Sequence, residues 1–141
     1  MDNKKELKIE LITPERVLLE IPIAFAIIPS GTGPIGVLPG HAPLLGNLFA
    51  GVLMVRDISG KEFNVFVQQG SFMISHSGIK IVTPAAEMDD QIDIDRATAA
   101  KDRANKVLAS KDAALDIERA REALFRAETR IKISQAAGTT H

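Results

Sequence analysis

The chain contains no cysteine, no tryptophan and no tyrosine. Without cysteine there is no disulfide framework and no thiolate ligand for a metal, a composition that fits a reducing compartment. Phenylalanine, six residues in 141, is the only aromatic, so an aromatic platform for stacking nucleic-acid bases is poorly supplied. A charge surplus is missing as well. The formal net charge of −1 is neither the basic excess of a nucleic-acid binder nor the block of a disordered acidic tail. Apolar runs fall far short of the roughly 20 residues needed to span a bilayer. The opening "MDNKKELKIE" is charged and lacks the apolar centre of a signal peptide. The expectation is a soluble intracellular protein. Its 45% hydrophobic residues suffice for the core of one ordinary domain or two small ones.

Glycine and proline are unevenly spread, and the break marks two kinds of chain. Up to Pro84 the pattern is that of strands. "LKIELI" alternates, with Leu7, Ile9 and Leu11 on one face. "VLLEI" and "IAFAII" follow, with Pro22 between them predicting a break or an edge. "GVLMVRD" and "EFNVFV" flank "ISGK", a hairpin with Gly60 at the turn, its Phe63, Val65 and Val67 alternating with Asn64 and Phe66. "SFMIS" and "IKIVT" flank "HSG", a second hairpin centred on Gly78. Short strands with regular turns predict a sandwich or flattened barrel.

From residue 85 glycine and proline vanish until Gly138, and alanine dominates. Ala97, Ala100, Ala104 and Val107 form one apolar stripe at helical spacing; Ile117, Ala120, Leu124, Ala127 and Ile131 form a second. Asp93 and Asp112 stand where N-caps belong, and the second helix is predicted over about residues 113 to 134. A short link makes the two helices antiparallel. The fold class is therefore α+β in segregated domains, an N-terminal β-sandwich over 1–86 and a C-terminal antiparallel two-helix hairpin over 87–141. The stripes are mostly alanine, so each contact buries little apolar surface. Such a hairpin is either a static appendage or one made to open and offer its stripe to another protein.

No catalytic constellation is visible. His41, His76 and His141 have no metal-site spacing, and phosphate-binding loops and nucleophile elbows are lacking. The most worked-over stretch is "GTGPIGVLPGHAPLL", residues 31–45, with four glycines and three prolines. Too rich in breakers for a helix or a central strand, it reads as a stiff exposed loop, with Pro39 and Pro43 fixing φ around His41. His41 as a general base lacks a carboxylate nearby in sequence; as a structural residue it would bond backbone groups in the turn. Leu38, Leu44 and Leu45 make the loop a plausible docking surface. A second cluster comprises Glu87, Asp93, Arg96 and the arginines of helix two. These are either a helix cap with solvated charges or a polyanion site, since Arg126 and Arg130 share one helix face.

The order of the motifs says more than any one of them. "LITPERVLLE", "GPIGVLPGHAPLL", "GVLMVRD", "QGSFMIS" and "IDIDRA", leading into an alanine-rich hairpin, resemble the epsilon subunit of F-type ATP synthases over nearly the whole chain. The resemblance implies a non-catalytic stalk subunit that couples ion flow to ATP synthesis. It implies partners in the gamma subunit, the c-subunit ring and the alpha and beta subunits of the catalytic head. No nucleic acid and no membrane-spanning segment are implied, and the location is the cytoplasmic face of a bacterial cell membrane, held there through the complex. The 31–45 loop would face the ring and gamma through Gly36, Leu38, Pro39, His41, Pro43 and Leu44. The hairpin would block ATP hydrolysis when extended, with Arg119, Arg121 and Lys132 meeting the head. No cofactor is required; regulatory ATP in the compact form would be held by Glu87, Asp93, Arg96, Ala97, Arg126 and Arg130. Two features depart from the family: Pro34 replaces an acidic residue common in the Gly-x-x-Gly, and Gly70-Ser71-Phe72 replaces Gly-Gly-Phe. A free-standing sandwich with a nucleotide-sensing hairpin is the alternative; a small enzyme built on His41 is a third reading.

Overall fold

A computed structural model describes residues 6–76, 78–110 and 114–139. The chain divides between Glu87 and Met88 into two compact units. The first is a β-sandwich, the second a two-helix hairpin.

The sandwich grows from one long strand. β1 (Leu7–Ile12) is followed by β2 (Val17–Ser30), and β2 changes partners along its length. Its first half pairs antiparallel with β1, its second half with β3 (Gly33–Val37) on one edge and β5 (Gly51–Asp57) on the other. β4 (Leu44–Leu48), β7 (Gly70–Ile74) and β8 (Gly78–Val82) continue the other layer, and β8 returns parallel to β1. β6 (Glu62–Val67) pairs with β5. β9 (Ala86–Met88) ends the strand order beyond β6. Because β1 pairs with both β2 and β8, the circuit β1–β8–β7–β4–β2 closes on itself and flattens into two layers.

Pro22 does not break the chain. It lies inside β2, exposed, paired with Lys8 of β1, and the pairings of β2 with β5 begin only at Ile23. The missing N–H is tolerated where one edge of the strand has no neighbour yet. Two further prolines face each other, Pro29 of β2 opposite Pro34 of β3. A hydrogen-bonded pair would need an N–H from both, so this must be the non-bonded kind, with both ring nitrogens turned outward. On the far side of β2 the ladder with β5 accordingly stops at Ile27–Met54.

The alternation of β1 holds: Leu7, Ile9 and Leu11 are buried. With Ile28, Leu48, Leu53, Val55, Val65, Phe72, Ile74 and Ile81 they fill the space between the layers. Phe66, on the polar side of its strand's alternation, is nevertheless 1% exposed, and it faces Val52 of β5. Both hairpins form. In the first, Gly60 takes φ +94°. Asp57 fastens this turn: its Oδ1 accepts the Ser59 hydroxyl at 2.6 Å and the N–H groups of Ser59 and Lys61, each at 2.9 Å. The hydroxyl, with those backbone groups and the Lys61 charge, holds the carboxyl below its ordinary range. In the second, Ser75 donates its N–H to the Gly78 carbonyl at 2.8 Å.

The helical unit consists of a 3-10 turn at Asp89–Gln91, α1 (Ile94–Ser110) and α2 (Ala114–Thr139). α2 runs five residues beyond the expected end, through Gly138, which sits in its last turn where a glycine costs little. Asp112, expected as the cap of α2, lies outside the described residues. Ala97, Ala104, Ala120 and Ala127 are buried, and Lys101 reaches Glu128 at 3.8 Å across the pair. Val107 is not part of the stripe; it is 39% exposed, and Leu108 is half-buried. At 100° per residue Leu108 falls only about 20° from Ala97 around the axis, Val107 about 80°. α2 is also buried on a second face that the stripe did not foresee. Thr129 and Ile133 are buried there, about 160° and 120° around the axis from Ala127.

Candidate functional site

Residues 31–45 are not one loop. Gly31 and Thr32 form the turn between β2 and β3, residues 33–37 are the edge strand β3, and Leu38 begins a second turn at its far end. The two turns are therefore separated by the length of five strand residues, about 17 Å. The second turn is built as its residues demand. His41 donates its N–H to the Leu38 carbonyl at 3.1 Å, with Pro39 and Gly40 between them and Gly40 at φ +84°. Proline at the second position and a positive-φ glycine at the third are the signature of a type II turn.

His41 is half-buried, and its Nδ1 lies 2.6 Å from the Ala42 carbonyl oxygen. A carbonyl only accepts, so Nδ1 carries the proton and donates. This is backbone bonding inside a proline-bounded turn, and it commits the ring to the loop. Of the other residues expected at this surface, Gly36 is exposed in β3, Pro39 and Pro43 are exposed, and Leu38 and Leu44 are 63% and 40% exposed. Leu45, next in sequence, is 74% exposed and pairs across the sheet with Met73, 42% exposed. Met73 was not among the expected residues. Two adjacent leucines in a strand face opposite sides, so the sequence itself held the signal that one of them looks outward.

At the other turn, an apolar cleft of about 450 Å³ runs between Ile27, Pro29, Pro34, Phe49, Val52 and Met54. Phe49 packs over Gly31, where a Cβ would stand 3.1 Å from its ring.

The anion-site residues fall in both units. Glu87 closes the sandwich unit; Asp93, Arg96, Ala97, Arg126 and Arg130 belong to the helical one. Asp93 is the N-cap of α1. Its Oδ1 accepts the Arg96 N–H at 3.1 Å and its carbonyl accepts the Ala97 N–H at 3.0 Å. Ala97 is buried at the seam, and Arg96 is exposed. Arg126 and Arg130, one turn apart on α2, are both half-buried. Glu87 and Arg130 each have an interaction partner already. Arg119, Arg121 and Lys132 are exposed on α2. Among the described residues no group of three or more His, Asp or Glu could hold a metal ion, and no helix is long and apolar enough to cross a membrane.

Comparison with known proteins agrees with this two-part plan. The family model for the ATP synthase delta/epsilon chain beta-sandwich domain matches residues 6–89, and that for its long alpha-helix domain matches residues 90–135. A relative named ATP synthase epsilon chain in Desulforamulus reducens is 40% identical over 131 residues, covering 93% of this chain and 98% of the relative. One of the same name in Moorella thermoacetica is 39% identical over 130 residues, 92% of this chain and 97% of the relative. In a solved structure of the Euglena gracilis mitochondrial ATP synthase, one chain shares the fold with a TM-score of 0.77 at 23% identity, covering 97% of this chain and 84% of that one. With both domain models in sequence order and relatives matched nearly end to end, this chain belongs to the ATP synthase delta/epsilon chain family.

Proposed function

We propose that this chain is the epsilon subunit of a rotary F-type ATP synthase, a central-stalk part that carries no catalytic chemistry of its own. The sandwich holds the gamma subunit and stands on the c-subunit ring, using exposed residues of 36–44, Leu38 and Leu44 foremost. The subunit is held at the cytoplasmic face of the cell membrane through the complex. The helical unit is the regulatory part. Compact, it leaves the catalytic head free; opened, it brings Arg119, Arg121 and Lys132 to the alpha and beta subunits and restrains ATP hydrolysis.

The observation that carries this reading is the seam between α1 and α2, whose buried residues are Ala97, Ala104, Ala120 and Ala127. Alanines bury little area, so a few kcal/mol of differential binding suffices to shift such a pair between arrangements. Regulatory ATP would favour the compact form by mass action. Asp93, Arg96 and Ala97 at the start of α1 and Arg126 and Arg130 on α2, all in the helical unit, are the residues proposed to hold it.

Two measurements test the reading. The chain is expected to co-purify with gamma, and ATPase activity of the assembled head is expected to rise when residues 92–141 are removed. No rise rejects the inhibitory role and leaves the stalk role standing. Equilibrium titration with ATP, with Arg126→Ala as control, is expected to show binding lost in the variant; equal affinity rejects the nucleotide site.

A further inference from the structure

The chain leaves the sandwich through a short segment that is fastened at one residue. β8 ends at Val82, and Pro84 and Ala85 beyond it are exposed. Thr83 is not: at 1% exposed it is the least exposed of the buried polar residues described. Its N–H is donated to the Ile12 carbonyl, at the end of β1, at 3.0 Å. Its hydroxyl lies 2.9 Å from the carbonyl oxygen of Gln68 and 3.0 Å from that of Ala85. A hydroxyl has one proton to give. The Ala85 carbonyl already accepts the Gln68 N–H at 3.1 Å, so the proton of Thr83 is left for the Gln68 carbonyl.

Gln68 stands between β6 and β7. These bonds therefore tie the departing segment to the β6–β7 turn. A second feature brings the same two stretches together. Gly70 opens β7 where a Cβ would run into the Val82 carbonyl and stand 3.1 Å from the Thr83 Cα. Little else holds the segment. Pro84 has no N–H to give. On its other side a hollow of about 260 Å³ separates Pro84, Ala85 and Ala86 from Thr13 and Arg16 of the β1–β2 turn. Downstream, β9 pairs with β6 over three residues at the end of the strand order. A ladder that short is marginal by itself, and the Thr83 bonds stand at its head.

We propose that Thr83 is a positioning residue for the regulatory unit: its hydroxyl clamps the departing chain to the β6–β7 turn, and so sets where the helical unit pivots and how far it reaches. With the clamp closed, the free tether begins at the unit boundary, after Glu87. With the clamp open, residues 84–87 join the tether and add about 14 Å of chain. A longer tether lowers the effective concentration of the tethered unit at its target. An apolar isostere at position 83 would open the clamp, because it leaves the part-buried Gln68 carbonyl without its donor, and an acceptor left unmade is costlier than the bond is worth net. The inference rests on the inhibitory reading above, in which the helical unit opens.

The test compares the full chain with Thr83→Val, Thr83→Ser and Thr83→Ala, by hydrogen exchange and by inhibition of an assembled catalytic head stripped of this subunit. In Thr83→Val the amides of residues 85–88 should exchange about tenfold faster or more, with β1 and β5 protected as in the parent. Half-inhibition of ATP hydrolysis should need about two- to threefold more subunit. Thr83→Ser and Thr83→Ala lose the same methyl and differ only in the hydroxyl. The serine variant should match the parent in both measurements and the alanine variant should match Thr83→Val. This pair keeps the test decisive if valine disturbs the fold. Equal exchange of residues 85–88 in the serine and alanine variants would overturn the clamp. Faster exchange with unchanged half-inhibition would overturn its control of reach. No inhibition by the unaltered chain would remove the inhibitory reading and the control of reach with it, while the exchange comparison still upholds or overturns the clamp.

Discussion

The two units bury their chains by different means. Inside the sandwich the buried side chains are Leu, Ile, Val and Phe; along the seam of the hairpin they are Ala97, Ala104, Ala120 and Ala127. Burying a large aliphatic or aromatic side chain contributes about 1.5–3 kcal/mol, whereas a single methyl contributes about 0.8 kcal/mol. The sandwich is thus fixed by many large contributions, and the seam of the helix pair by a few small ones, the large aliphatics buried in the helical unit being Ile92 and, off the seam, Ile133. The role proposed above, in which one part holds its shape while the other changes, needs both behaviours. Segregating them lets one unit stay rigid while the other remains near balance.

The comparison breaks first if the sandwich tolerates disturbance. Gly70 opens β7 where a Cβ would run into the backbone carbonyl of Val82. Backbone cannot swing aside as a side chain end can. Gly70→Ala is expected to destabilise the sandwich by about 3 kcal/mol, read from denaturant unfolding followed by circular dichroism. A change below about 1 kcal/mol would mean that the strand ends are far more pliable than the packing of β7 against β8 implies.

That contact also shows where sequence reading stops. The alternation in β1 and the two hairpins about Gly60 and Gly78 were legible because period-two patterning and turn glycines are local signals. So were the two helices, from their stripes and from Asp93. The edge strand at Gly33–Val37 was not, because proline and glycine argue against a strand unless one knows that a single neighbour pairs with it. Pro22 left a break and an edge both open for the same reason, and the edge is what forms, because its effect depends on where β2 changes partners, a property of the assembled sheet. Val107 was a matter of phase accumulated over three turns. Ile133 and Thr129 lie off the stripe altogether, so periodicity had no means of finding them buried. The exposed apolar residues near the second turn were half legible. Leu38 and Leu44 stand near one another in sequence around the turn, whereas Met73 joins Leu45 only through strand register.

The hairpin side of the comparison is sharpened by overfilling its seam. Ala127 is 1% exposed on α2. Ala127→Leu adds bulk where the helices touch and is expected to cost the helix pair about 2 kcal/mol. Hydrogen exchange should read this as about thirtyfold faster opening of amides in α1 and α2. Protection in β1, β5 and β7 should not change. Equal acceleration in both units would show that they unfold together and that the contrast drawn here does not hold.

A smaller effect separates architecture from ligand at the start of α1. Asp93→Ala removes the side-chain acceptor of the Arg96 N–H and should cost about 1 kcal/mol, seen as faster exchange over the first turn. Asp93→Asn keeps an acceptor and should cost only a few tenths. If ATP binds here and needs the carboxylate charge, its affinity will fall in both variants. If Asp93 acts only as a cap, Asp93→Asn will bind as the parent does. Unchanged exchange in Asp93→Ala would refute the capping role itself.

The smallest expected effect concerns the ion pair that crosses the hairpin. Lys101 and Glu128 are 3.8 Å apart, with side chains 39% and 52% exposed. A pair so open to water is screened, and ordering two long side chains opposes it. A double-mutant cycle with Lys101→Ala and Glu128→Ala should therefore give a coupling of about 0.5 kcal/mol or less. At 1 M salt, where the screening length shrinks to about 3 Å, it should fall towards zero. A coupling above about 1.5 kcal/mol that survives salt would show that charge, more than the alanine seam, holds the helices together. Ionic strength would then fail to loosen the hairpin, and its opening would have to be driven by a partner that supplies a competing charge to one of these two side chains.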